Sequence, residues 1–206
     1  MPRSKSKKRR HDPPSPEARE QEARSRRTRR FAIWAVMAVL ASGGGWLWWQ
    51  SQADEAAFLK LAAAGQTLLA QVESPANRGS GHPASGQSTR YDDPFPTSGP
   101  HNPDWVLPGF YDRPQPPSKL VHALEHGNVV IYYERPGEAV LATLDDWANL
   151  YDFEWGGVVA VPAPSLGQAV VLTAWRKRLR LDTFDAATAA AFVDEYRGRG
   201  PENPIR

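Results

Sequence analysis

The sequence predicts an α+β fold: a small, mostly antiparallel sheet with flanking helices, preceded by one transmembrane helix and a long ordered loop. Three observations support it: a charge-free apolar run at 31–49, a Gly- and Pro-rich stretch at 75–117, and short helix and strand patterns that follow one another from residue 118 onward. A chain of 206 residues has room for one ordinary domain plus extensions. We therefore expect one extracytoplasmic α+β domain at 75–206.

The chain begins with a basic tail. Residues 1–30 contain twelve Lys or Arg against four Asp or Glu, whereas the remaining residues contain thirteen against nineteen. The tail is rich in Ser and Pro and has no apolar period, so we expect it to be disordered and cytoplasmic. Since the rest of the chain is acidic, the net charge of +2 does not indicate a nucleic-acid-binding domain, and no nucleic-acid partner is expected.

An uncharged segment of nineteen residues, FAIWAVMAVLASGGGWLWW at 31–49, follows the tail. At ~1.5 Å per residue, a helix of this length nearly spans the ~30 Å hydrocarbon layer. Indole side chains favour the membrane interface, and three lie at the far end of the segment: Trp46, Trp48 and Trp49. We expect a transmembrane helix that contacts membrane lipid.

The charges beside this segment predict its orientation in the cytoplasmic membrane. Twelve Lys or Arg precede it, and only Lys60 falls within the twenty residues after it. The positive-inside rule then places the N-terminus inside and the C-terminal domain outside. The alternative is a cleaved signal sequence, since Ser51 and Ala53 are small residues at the spacing that a signal peptidase uses. The domain is exported in either case.

Residues 50–74 predict an amphipathic stalk helix. Acidic residues lie in its first turn, and its apolar residues form one helical stripe: Phe58, Leu61, Gly65, Leu68, Leu69 and Val72. The stripe packs either on the domain or on another copy of itself, and the sequence leaves both open.

The stretch at 75–117 has neither helical nor strand periodicity and predicts a long loop. Its aromatic content is too high for a solvated linker: Tyr91, Phe95, Trp105, Phe110 and Tyr111. Long loops inside compact domains tend to be functional. We expect an ordered loop that wraps over the core and carries His82 and His101.

The elements after the loop are short. Ser118 as a cap and Gly127 as a terminator predict a helix, and the β-branched and aromatic run at 128–134 predicts a strand. Thr143, with Asp146 three residues later, predicts the start of a second helix.

Strand composition appears again at 157–162 and 168–175, and the turn-rich connection predicts that these two strands form a hairpin. Residues 178–182 extend the sheet. A last helix is predicted from Asp185 to about Arg197, closed by Gly198.

Several segments of this domain resemble a known family. They are PTSGPHNPDW at 96–105, GFYD at 109–112, HALEHGNVVIYY at 122–133 and the later AVP, TAW and GRGPE pieces. Together they resemble the family called domain of unknown function 3105, over about residues 77–202. The resemblance implies a membrane-anchored or exported bacterial protein and implies no activity.

The chemically informative residues are His122, Glu125 and His126. On a helix, His122 and His126 lie at i and i+4 on one face, where two imidazoles reach one metal ion. His101 or His82 on the loop would supply a further ligand. Imidazole donors without thiolates, in a chain without cysteine, favour Zn or Cu over Mg or Ca.

The string H-x-x-E-H also matches the inverted zincin pattern, in which Glu125 would be the catalytic base. Three functions therefore stay open. The first is a membrane-tethered domain that binds a divalent metal through clustered histidines. The second is a non-catalytic structural or interaction module of the cell envelope, in which backbone carbonyls satisfy the histidines. The third is a metal-dependent hydrolase. Protein partners and oligomeric state are left open.

Overall fold

The computed structural model describes residues 15–83 and 89–206. Residues 1–14 of the tail predicted to be disordered, and residues 84–88 of the predicted loop, lie outside the described residues. The chain divides into two compact units, Met1–Gln50 and Ser51–Arg206. Each is described by itself.

The first helix, α1, covers Pro16–Gly65. It includes residues 16–30, for which the sequence predicts disorder, and the physical reason is composition: this stretch is rich in Ala, Glu and Arg, which are strong helix formers. Within the described residues, one helical stretch, Arg27–Gln71, is long and apolar enough to cross a membrane. A signal sequence near an N-terminus meets the same criterion, so this finding supports a candidate span without giving its orientation.

The last turns of α1, from Ser51 onward, belong to the second unit and pack on its other elements. Phe58 is buried, and its ring makes edge contacts with Trp147 at 5.3 Å and with Tyr151 at 5.0 Å between centroids. A 3₁₀ helix over Gln66–Gln71 follows, and Glu73 then forms a two-way backbone bridge with Arg178. In the predicted apolar stripe, Phe58 is thus part of the domain core and Leu61, Leu69 and Val72 pack against it, whereas Leu68 is exposed.

A five-stranded sheet forms the centre of the domain, with strand order β1-β3-β2-β4-β5. Its strands are β1 Gly109–Phe110, β2 Val129–Tyr133, β3 Val158–Pro162, β4 Val170–Ala174 and β5 Lys177–Leu181. The α+β class with flanking helices is confirmed, as are the four strands predicted after residue 127.

The strand pairing is mixed, and the predicted hairpin between β3 and β4 is wrong. β2 lies between these two strands, parallel to β3 and antiparallel to β4. All five residues of β2 are buried, as expected of a central strand with a neighbouring strand on each side. The hairpin in this region is instead β4–β5, with Ala174 opposite Lys177.

Three helices complete the domain: α2 Pro117–Glu125, α3 Glu138–Leu150 and α4 Ala186–Tyr196. Asp185 caps α4 by accepting a hydrogen bond from the Thr188 amide at 2.7 Å, as the predicted start requires. Thr143 does not cap α3. Its hydroxyl donates to the Ala139 carbonyl one turn back, at 2.9 Å, because the helix has already begun at Glu138.

Alternate residues of the sheet enter two apolar cores. Val129 and Ile131 face a core that contains Phe58 and residues of α3 and α4. Val130 and Tyr132 face the other, which contains α2 residues and Val106 of the long loop. Val106, Phe95 and Tyr111 of the loop therefore pack on the same face of the sheet as α2.

Candidate metal centre

Helix α2 sets the spacing of the first histidine pair. His122 lies within the helix, and His126 caps its end by donating its amide to the His122 carbonyl at 3.1 Å. The i, i+4 relation predicted from the sequence is present, with ring centroids 4.7 Å apart. Both side chains are buried, at 3% and 2% exposure. The helix thus presents two imidazoles on one side.

The long loop carries the second pair to the same place. The Gly99 amide donates to the Gly79 carbonyl at 2.8 Å, and the His101 amide donates to the Gly81 carbonyl at 2.9 Å, so the two loop segments run side by side. His82 is consequently next to His101, with ring centroids 5.1 Å apart. The Asn102 amide then donates to the Ser118 carbonyl at 3.3 Å, which attaches the loop to the first turn of α2.

These contacts bring together four groups with metal-ligating atoms, which we call the loop cluster: His82, His101, His122 and Glu125. One ligand atom from each lies within 4.8 Å of the others. Donors of a tetrahedral Zn²⁺ ion lie about 3.3 Å apart, since Zn–N distances are about 2.0 Å. The four donors therefore need to contract only modestly to share one ion.

Backbone carbonyls fix the orientation of two of these rings. Nδ1 of His101 lies 2.8 Å from the Gly99 carbonyl oxygen, and Nδ1 of His122 lies 2.8 Å from the Asn102 carbonyl oxygen. Because a carbonyl oxygen only accepts, each Nδ1 must carry the proton and donate it. In the neutral ring, Nε2 is then the nitrogen with the free lone pair. Histidines that ligate metals are usually held in this way.

The most informative contact lies between His101 and Glu125. His101 is fully buried, and its Nε2 is 2.9 Å from Oε2 of Glu125. Nε2 has no hydrogen-bond partner among the described residues. Burial lowers the pKa of His101, and the rings of His122 and His82 act in the same direction, whereas the hydrogen bond to Gly99 and the Glu125 carboxylate raise it. When the ring is neutral, its Nε2 lone pair faces a carboxylate oxygen.

The C-terminal segment provides a second group, which we call the tail cluster: His122, His126 and Glu202. Oε2 of Glu202 lies 3.1 Å from Nε2 of His126 and 3.7 Å from Nε2 of His122. His122 thus belongs to both clusters, and both helix histidines face one carboxylate.

Close backbone contacts hold the tail against the end of α2. The Gly198 amide donates to the Gly127 carbonyl at 2.7 Å, and the Glu202 amide donates to the Glu125 carbonyl at 3.3 Å. A Cβ atom at Gly200 would lie 2.1 Å from the Glu125 carbonyl oxygen, so this approach requires glycine. The sequence analysis missed Glu202, because Gly and Pro around it signal only the end of a helix.

Tryptophan rings surround the histidines. His126 stacks on Trp155 with centroids 4.0 Å apart at 19°, and Trp105 lies 4.6 Å from it on centroids. Burial lowers the pKa of His126, and the nearby His122 lowers it further. These walls keep the local dielectric low, which strengthens contacts to any cation bound between the rings.

Glu125 has His101 as its ion-pair partner in the described residues. Lys119 pairs with Asp104 at 2.9 Å, and Glu125 contacts His101. Backbone carbonyls do satisfy one nitrogen on His101 and on His122, as a purely structural role would require. They leave the second nitrogen of each ring available.

The fold and the site define a class: an α+β domain whose histidines and carboxylates gather at one end of a helix, under a long loop. A family model described as "Protein of unknown function (DUF3105)" matches residues 82–205. The chain belongs to this family, as its segments indicated. No curated protein matches the chain, and no solved structure matches it.

Proposed function

We propose that this chain is a single-pass membrane protein whose extracytoplasmic domain binds one divalent transition-metal ion in the loop cluster, with His82, His101, His122 and Glu125 as ligands. The contact between His101 and Glu125 carries the proposal. A lone pair and a carboxylate oxygen that lie 2.9 Å apart need a cation in common, which is either a proton on one of them or a metal ion beside both. Protonation of the ring is opposed by its burial, whereas a metal ion satisfies both groups.

The donor set selects the class of metal. Three imidazoles and one carboxylate are suited to Zn²⁺ or Cu²⁺, and they are poor ligands for Mg²⁺ or Ca²⁺, which prefer oxygen. One carboxylate also neutralises half of the ion's charge inside a buried site. We therefore expect Zn or Cu, with Cu²⁺ bound more tightly according to the Irving–Williams order.

The arrangement favours metal binding over hydrolysis. A zincin-type mechanism needs Glu125 as a free base beside a metal-bound water. The position of Glu125 among the donors, 2.9 Å from His101, favours its role as a ligand instead. A non-catalytic envelope module remains the alternative if no metal binds.

The location of the domain rests on the charge pattern around residues 31–49. Twelve basic residues before this segment and one within the twenty after it favour an N-terminus inside and a domain outside the cytoplasmic membrane. The helical candidate span supports an anchor. In an exported domain without cysteine, histidine is the side chain best suited to bind Zn or Cu.

The test is elemental analysis of the full-length chain, purified in detergent, loaded separately with Zn²⁺ and Cu²⁺ and freed of loose ions by gel filtration. We expect about one ion per chain. His122→Gln should abolish binding, since His122 belongs to both clusters. Glu138→Gln is the matched control, because Glu138 is an exposed carboxylate in the first turn of α3 and belongs to neither cluster. A wild-type chain that retains no ion would refute the proposal and favour the envelope module.

A further inference from the structure

His122 occupies a special position because it is the only residue shared by the two clusters of the described residues. Its Nδ1 donates to the Asn102 carbonyl at 2.8 Å, so Nε2 is its single nitrogen available to a metal. Because Nδ1 is engaged by the carbonyl, Nε2 is the atom that would serve in either cluster, and it lies 3.7 Å from Oε2 of Glu202 in the tail cluster. One imidazole nitrogen coordinates one ion at a time.

We propose that the tail cluster is a second, mutually exclusive position for the same ion, and that the ion moves between the two clusters by ligand exchange on His122. This inference rests on the proposed function of the loop cluster. It adds a route by which that four-ligand position is loaded and emptied, with His126 and Glu202 as the ligands of the transfer position.

Transfer requires one cluster to hold the ion more firmly than the other, and the two clusters differ in their number of ligands. The loop cluster offers four ligands and includes the fully buried His101, whereas the tail cluster offers three. The side chain of Glu202 is 47% exposed and lies 3.1 Å from Nε2 of His126. Each cluster also contains one exposed ligand, His82 in the loop cluster and Glu202 in the tail cluster. An ion at the tail cluster is therefore held less firmly because it has one donor fewer. We expect the loop cluster to be the resting position.

The transfer itself is a simple exchange of bonds. The ion keeps its bond to Nε2 of His122, while its bonds to His126 and Glu202 break and bonds to His101, Glu125 and His82 form. Neutral imidazoles and ionised carboxylates serve on both sides, so the step consumes no proton and no electron. Release follows the reverse order.

The segments that carry the transfer ligands support this role. Glu202 lies on the chain segment after α4, which is held to α2 by a few backbone hydrogen bonds from Gly198 and Glu202. The ring of His126 is held by stacking on Trp155. The transfer position thus combines one fixed ligand with one exposed ligand, which suits repeated gain and loss of an ion.

The experiment uses the full-length chain in detergent with Co²⁺ as a spectroscopic probe and Zn²⁺ for affinity. Wild type should bind about one ion per chain even in excess metal, because His122 cannot serve both clusters. Glu202→Gln should bind the same number with an unchanged Co²⁺ spectrum but should release it to a chelator more slowly. The double variant His82→Ala, Glu125→Gln should still bind one ion, more weakly and with a changed spectrum. Adding Glu202→Gln to it should abolish binding.

These variants avoid the fully buried His101, and circular dichroism checks that each one folds. Glu138→Gln again serves as the control for loss of a carboxylate, with release at the wild-type rate. Two ions per wild-type chain would show separate sites and overturn the inference. So would release from Glu202→Gln at the wild-type rate, or a double variant that is folded and binds nothing. A wild-type chain that binds no ion would instead refute the proposed function itself.

Discussion

Nε2 of His101 and Oε2 of Glu125 lie 2.9 Å apart without a hydrogen bond between them. The backbone carbonyl of Gly99 holds the His101 ring from its other side, so the ring cannot turn away without losing that bond. The proposed metal ion would satisfy both groups, and the predictions on binding below follow from that proposal.

Replacing Glu125 with Gln should weaken Zn²⁺ binding by at least about 10-fold, since changing a group that only supports the ligands already costs roughly 10–100-fold. The amide keeps the shape of the side chain and removes its charge. Competition with a chromophoric chelator measures the affinity, and Glu138→Gln should bind like wild type. Equal affinity in Glu125→Gln would exclude Glu125 as a ligand.

The stability of the metal-free chain should fall as the pH falls below about 6.5, the ordinary pKa of histidine. The pKa values of His101 and His126 are lowered by burial, so the unfolded chain binds more protons than the folded one in this range. The stability that these two histidines contribute is fully present above the pKa that they have in the unfolded chain. It is lost as the pH falls from that value toward their pKa in the folded chain. Thermal unfolding between pH 5 and pH 8 measures the effect, and His126→Gln should flatten the profile.

Metal binding should show a matching pH dependence. Each imidazole must be neutral to act as a ligand. Because the pKa values of His101 and His126 are lowered, proton competition at these two residues should begin at a lower pH than for a free histidine. Zn²⁺ titrations at several pH values test this. Affinity that rises on acidification would contradict histidine ligation.

Phe58→Ala should destabilise the domain by about 3–5 kcal/mol, the usual cost of truncating a buried phenylalanine. Phe58 is 3% exposed between Trp147 and Tyr151, whereas the adjacent Leu59 is 41% exposed. Leu59→Ala is therefore the matched control and should change stability by less than about 0.5 kcal/mol. Similar effects of the two substitutions would mean that α1 does not pack on the domain as described.

The proposed topology predicts that a reporter active only outside the cytoplasm is active when fused after Arg206. Its reason is the excess of basic residues before residues 31–49. Membrane fractionation and N-terminal sequencing of the mature chain separate a retained anchor from a cleaved signal, for which the new N-terminus would be Asp54. Activity of a reporter that works only in the cytoplasm would reverse the orientation.

Local patterns in the sequence predicted much of the domain. A helix was predicted before Gly127 and the structure contains it over Pro117–Glu125, although its N-cap is Pro116 and not the predicted Ser118. Runs of β-branched residues marked β2, β3 and β4. It was harder to predict which strands lie side by side, because their hydrogen-bond partners are distant in sequence. The fully apolar β2, followed by a helix and another strand, was the available signal for a central strand with a parallel partner.

The candidate site was predictable where it depends on local helical spacing, and not where it depends on contacts between distant segments. The i, i+4 spacing of His122 and His126 follows from the helix, and the two rings do face one carboxylate. Which loop histidine approaches which helix residue depends on pairing between the segments around Gly79 and Gly99, and no periodicity marks that pairing. Glu202 lies 76 residues beyond His126 in the chain, and only the folded tail brings them together.

The most direct test of the central claim is an anomalous X-ray difference map of the full-length chain, crystallised after loading with Zn²⁺ or Cu²⁺ and recorded at the absorption edge of the metal. The account predicts one principal peak, about 2.0–2.1 Å from Nε2 of His101 and Nε2 of His122, the usual metal–imidazole distance. A metal-saturated sample with no peak at these histidines, or with its peak among carboxylates elsewhere, would contradict it.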